Sequence, residues 1–129
     1  MHERYRKIIN ERQLVSVMNK TKWRELCNDF EELHFLSVSV RYKLISSDDI
    51  LGFSAVWWNE IYEESSGIEW LDFNPIVSEY RGRLVAPKET DRSSEILTIL
   101  NRHGIKYAME GSCFRVWGYI SQDTTPVFT

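Results

Sequence analysis

Apolar and polar positions alternate along this chain in stretches of two different periods. Residues 3–18 place Tyr5, Ile8, Ile9, Val15 and Met18 among charged neighbours, as an amphipathic helix would, with Arg12 and Ser16 interrupting the stripe. Asn19-Lys20-Thr21 breaks the pattern. Thr21 is then the expected cap of a second helix with Glu25 in its first turn, and Trp23, Leu26, Cys27, Phe30 and Leu33 share one face of it. After His34 the period falls to two: Leu36, Val38, Val40, Tyr42 and Leu44 alternate with Ser37, Ser39, Arg41 and Lys43, which predicts a half-buried antiparallel strand. Turn formers at 46–49 end it. Residues 53–64, with the pair Trp57-Trp58, fit either a strand entering a hairpin or a short helix that brings Trp58, Ile61 and Tyr62 together.

Beyond the Ser65-Ser66-Gly67 turn, residues 68–73 predict a strand closed by Asn74-Pro75, and a further short strand is expected at 83–86, stopped by Pro87. A third helix, capped by Thr90 or Asp91, runs through Ile96, Leu97, Ile99 and Leu100 to a stop at Gly104. Residues 105–109 and 114–120 predict a hairpin turning at Glu110-Gly111-Ser112. The tail 121–129 is expected to be loose. No repeat, linker or low-complexity tract divides the chain, so residues 1–129 read as one domain with an N-terminal helix within 1–18. The expected class is α+β, an antiparallel sheet of about four to five strands with two to three helices packed on one face.

With 129 residues the chain is long enough for one core, and five Trp, six Tyr and six Phe are many for that size. No apolar run approaches the roughly 20 residues that span a bilayer, and the N-terminal residues lack the apolar stretch of a secretion signal, so a cytoplasmic, non-membrane protein is expected. Cys27 and Cys113 fit no zinc or redox spacing and read as reduced thiols.

The net charge of −3 conceals a polarity. Residues 1–24 hold seven Lys and Arg against two acids, residues 25–79 two against twelve, and residues 80–129 seven against five. Such asymmetry bears on what the surface attracts. The basic stretch raises a nucleic-acid hypothesis through Arg4, Arg6, Lys7, Arg12, Lys20, Lys22 and Arg24, although the acidic chain as a whole argues for a solvated helix face.

Catalytic signatures are weak. His2, His34 and His103 stand in no metal-binding or triad spacing; Cys27 lies on the apolar stripe of its helix; the six glycines form no phosphate cradle. The expectation is no enzyme and no cofactor. The distinctive stretch is acidic and aromatic: Asp48, Asp49, Trp57, Trp58, Glu60, Tyr62, Glu63, Glu64, Glu69 and Asp72. Aromatic residues anchor interfaces and clustered carboxylates attract Lys and Arg, so a basic protein partner is expected, bound through Asp48, Asp49, Trp58, Glu60, Tyr62, Glu63, Glu64, Glu69 and Asp72. The same residues fit a plain core with a solvated acidic loop.

Residues 20–26 (KTKWREL), 68–72 (IEWLD) and 115–120 (RVWGYI) resemble a family of small bacterial proteins known as a domain of unknown function. The resemblance covers the chain from about Asn19 onward and implies a compact bacterial domain, with no catalytic residue to carry over. Small acidic single-domain bacterial proteins are often immunity proteins, and by that class-level analogy the suspected partner is a cognate toxin, with a nuclease as one candidate. A homodimer is compatible with exposed aromatics.

Overall fold

The computed structural model describes residues 3–129; Met1 and His2, which fall within the expected N-terminal helix, lie outside the described residues. Helix α1 (Glu3–Arg12) ends earlier than its apolar spacing suggests because Gln13 adopts a left-handed conformation (φ 53°). The chain then extends as β1 (Val15–Ser16), which pairs antiparallel with β8 (Tyr119–Ile120). Val15 is therefore an exposed strand residue and not part of a helix stripe.

Helix α2 (Lys20–Glu32) is capped by Asn19, whose Oδ1 accepts from the Lys22 amide at 2.7 Å, so Thr21 sits inside the first turn and Glu25 beyond it. A 3₁₀ turn at His34–Leu36 closes on the left-handed Ser37 (φ 57°) and delays β2 to Ser39–Leu44. The ambiguous 53–64 stretch resolves into an extended loop and helix α3 (Trp58–Glu64). Strand β3 (Ile68–Asn74) follows as expected. The next strands are β4 (Ile76–Glu79) and β5 (Lys88–Asp91), paired with each other; residues 83–86, expected as a strand, instead form the tip between them. Helix α4 (Ser93–Arg102) starts where Asp91 Oδ1 accepts from the Ser93 amide at 2.8 Å. Strands β6 (Tyr107–Glu110) and β7 (Cys113–Trp117) form the expected hairpin, with Gly111 in the left-handed region at the turn. The tail is tied down at its end, where the Thr129 amide donates to the Tyr107 carbonyl at 2.9 Å.

The fold is α+β, with its principal sheet antiparallel in the order β2-β3-β7-β6. Alternation sends Val40, Leu71, Phe73, Phe114 and Val116 to one face, where they meet Leu26 and Phe30 of α2, Trp58 and Ile61 of α3, and Ile96, Ile99 and Leu100 of α4. Tyr5, Leu14, Ile45 and Tyr119 form a second, smaller cluster under α1. Among the described residues no helix is long and apolar enough to cross a membrane.

Candidate functional site

Helical phase sorts the two adjacent tryptophans. Trp58, the first residue of α3, turns inward to 6% exposure and stacks with Phe30 at 4.9 Å between ring centroids, while Trp57 in the extended cap position stays 72% exposed. Trp58 is thus a core anchor, and Trp57 is the exposed member of the pair. With Ile61 also inward, the 3.6-residue repeat turns Glu60, Glu63 and Glu64 to solvent. Tyr62 is half-buried beneath Lys20, whose Nζ sits 4.2 Å from its ring and donates to the Tyr62 carbonyl and the Ser65 hydroxyl at 2.8 and 2.7 Å. That ammonium sits at the negative end of α3. Desolvation lowers the Lys20 pKa, opposed by the nearby Cys27.

Glu69 and Asp72 do not join the exposed acids. Both are buried in β3, where cations of this same chain surround them. Glu69 Oε1 accepts from Arg12 at 2.8 Å and Lys43 at 3.2 Å. Asp72 accepts from Arg41 at 3.0 Å and twice from Arg115, at 2.6 and 2.9 Å, with the Arg115 guanidinium 3.7 Å over Trp70. The register Arg41↔Asp72↔Arg115 across three strands makes these cross-strand pairs. Sequence alternation alone carries the signal that Arg41, Asp72 and Arg115 share the face opposite the main core, but only register reveals that they are opposite one another.

What remains exposed is Asp48, Asp49, Glu60, Glu63 and Glu64. Among the described residues the three glutamates of α3 and Asp49 make no ion pair, and Asp48 makes one at 3.9 Å to Lys43. Asp49 lines a groove of about 370 Å³ between the outer edge of β2 and the loop that follows it, with Val40, Arg41, Tyr42, Leu44, Leu51 and Val56, and the charges of Glu60 and Glu64 reach its Tyr42. Leu51, missed in the sequence, stands on its rim 81% exposed. β2 is an edge strand. Val40 exchanges two hydrogen bonds with Ser54, at 2.9 and 3.0 Å, across that edge. Antiparallel alternation therefore points the N–H and C=O of Tyr42 the same way, into the groove, and neither has a backbone partner across that edge among the described residues. Burial first, then the charges of Glu64 and Glu60, raise the Tyr42 phenol above its ordinary pKa, which registers the acids at this groove.

A second groove of about 370 Å³ flanks the other side of the 55–58 segment, lined by Glu31, Leu33, His34, Val38 and Trp57 among others. It lies at the C-terminal end of α2, whose last turn holds acids and no cation although the dipole there is negative, an arrangement that costs about 0.3 to 1 kcal/mol per charge. A basic group placed there would relieve it.

Burial pushes the Cys27 thiol up to about 12, and burial and Asp72 raise that of Cys113. His103 lies between Glu25 and Asp29, 3.0 and 2.6 Å from their oxygens, tying the end of α4 to α2. Of the N-terminal cations, Arg12, Lys20 and Lys22 bond inside the fold, Lys22 to the Gly104 carbonyl at 3.1 Å, so fewer are free for phosphates.

A family model described as a family of unknown function (DUF6678) matches residues 5–123. No curated protein and no solved structure matches the chain.

Proposed function

The chain belongs to that family of unknown function, and we propose that it acts without catalysis, as a binding protein whose acidic surface captures a basic protein. The observation that carries this is the set of α3 carboxylates, Glu60, Glu63 and Glu64, which make no ion pair among the described residues, beside exposed Trp57, a mostly apolar groove along β2 and a mixed one at the end of α2. Exposed acids attract and orient a cationic surface, and a rigid tryptophan with apolar slots supplies buried area at low entropic cost. Asp48 and Asp49 extend the acidic rim; Trp58, Glu69 and Asp72 only support it from within.

The partner class that fits is a protein with a basic working surface. A nuclease has one, because its Lys and Arg contact phosphates. Covering it with carboxylates would block substrate, which is how an immunity protein would neutralise a bacterial toxin.

The test is capture from the native cell lysate with the tagged chain and with a variant carrying Glu60→Lys, Glu63→Lys and Glu64→Lys. The wild type should retain a basic protein at near-stoichiometric yield and the variant should lose it. Equal capture by both would refute the acidic surface.

A further inference from the structure

Between β4 and β5 the chain runs outward through residues 80–87, Tyr80-Arg81-Gly82-Arg83-Leu84-Val85-Ala86-Pro87, and all but Gly82 are exposed. Leu84 is 99% exposed, with Tyr80 and Val85 also exposed beside it. The two strands beneath pair only with each other, and an isolated two-stranded hairpin is marginal in water. Residues 83–86 have the composition of a strand and no strand partner. Arg81, Arg83 and Lys88 form no ion pair among the described residues. This tip is apolar in its middle, carries Arg81, Arg83 and Lys88 around it, and has one internal backbone hydrogen bond, from the Val85 amide to the Gly82 carbonyl at 3.4 Å, but no strand partner.

The groove beside β2 offers it an apolar slot of Val40, Tyr42, Leu44, Leu51 and Val56, the Asp49 carboxylate in its wall with the charges of Glu60 and Glu64 acting on Tyr42, and an outward N–H and C=O on Tyr42, while the lining cation Arg41 is held by Asp72. We propose that the tip is an arm that docks in this groove of a second copy of the chain, an inference that rests on the acidic surface being a protein-binding one. Leu84 and Val85 enter the slot. Residues 83–86 pair with the free edge at Tyr42 as the short strand their composition favours, and Arg81 and Arg83 meet Asp49, Glu60 and Glu64. Reciprocal exchange of two arms closes a two-fold dimer with two identical contacts. The groove volume lies within the roughly 300 to 1,000 Å³ of sites that enclose a small ligand, enough for a few side chains.

The experiment is sedimentation of the full chain at rising concentration in low and high salt, with charge-swapped variants. The wild type should reach twice the mass of the chain and return toward monomer in salt. Arg81→Glu with Arg83→Glu, and separately Glu60→Arg with Glu64→Arg, should each stay monomeric. An equimolar mixture of the two variants should recover the dimer, because each arm then faces a groove of opposite charge. Leu84→Asp should be monomeric alone and in every mixture, with an unchanged far-UV spectrum. A wild type that stays monomeric throughout, a single swap that still dimerises, or a mixture that fails to reassociate overturns the proposal. A monomeric chain that captures a basic protein through Glu60, Glu63 and Glu64 removes the arm and keeps the acidic surface for a foreign partner; a dimer with that pattern of swaps and no captured protein keeps the arm and removes the foreign partner.

Discussion

Asp72 receives Arg115 through two parallel hydrogen bonds, Nε to Oδ1 at 2.6 Å and Nη2 to Oδ2 at 2.9 Å, while Arg41 approaches the same carboxylate from the other neighbouring strand. The carboxylate has no exposed surface, so its charge is tolerable only because both cations are present. Asp72→Ala strands the Arg115 guanidinium over Trp70 and the Arg41 guanidinium over Phe53, and should cost about 3 to 5 kcal/mol. Asp48→Ala, at an exposed position, should change stability by no more than about 0.5 kcal/mol. Urea unfolding of the two variants distinguishes an internal ion cluster from a surface acid.

The adjacent tryptophans should separate stability from binding. Trp58→Ala removes a ring stacked on Phe30 and Phe73, with an expected loss of about 3 to 5 kcal/mol. Trp57→Ala should leave stability within about 0.5 kcal/mol and weaken capture of a basic partner. Thermal unfolding beside the capture assay reads both.

Periodicity in the sequence exposes the elements that carry it strongly: α2 through Trp23, Leu26, Cys27 and Phe30, β2 through Val40 and Tyr42, and the β6–β7 hairpin through Gly111. It misleads where a single residue redirects the backbone, as the left-handed Gln13 does after α1. Residues 83–86 show the opposite failure, strand composition without a partner. The acidic site is half legible for a similar reason. Composition identifies carboxylates, but whether one faces solvent or a cation depends on strand register for Glu69 and Asp72 and on helical phase for Glu60, Glu63 and Glu64.

Gly118, between β7 and β8, has no room for a side chain. A Cβ there would press on the Ile68 carbonyl oxygen, a backbone atom held in β3, and the Gly118 amide donates to the Glu69 carbonyl at 2.7 Å. Gly118→Ala should cost roughly 1 to 3 kcal/mol by forcing the backbone apart. Denaturant unfolding gives the value, and a cost near zero would show that this junction yields.

Cys27 has its thiol pushed up to about 12 by burial, from an ordinary value of 9.0, so its neutral form is the one the fold favours. The stability this contributes is complete below the unfolded value and is lost as pH rises from about 9 through about 12. Alkaline unfolding should therefore be less steep in Cys27→Ala than in the wild type. Burial keeps the Cys27 thiol neutral and out of reach at about pH 8, so a thiol reagent should modify it only after denaturation.

Tyr42 provides a test of whether the acids of α3 act together at the groove. Its phenolate is disfavoured first by burial and then by Glu64 and Glu60. Replacing both glutamates by glutamine removes the two repulsions and leaves the desolvation, so the Tyr42 pKa should fall toward its ordinary value of 10.0 without reaching it. Alkaline difference absorbance, with Tyr42→Phe to identify the signal among six tyrosines, measures the shift. A Tyr42 titration unmoved by the glutamine replacements would separate the glutamates from the groove and leave an apolar slot with no charge to select its occupant.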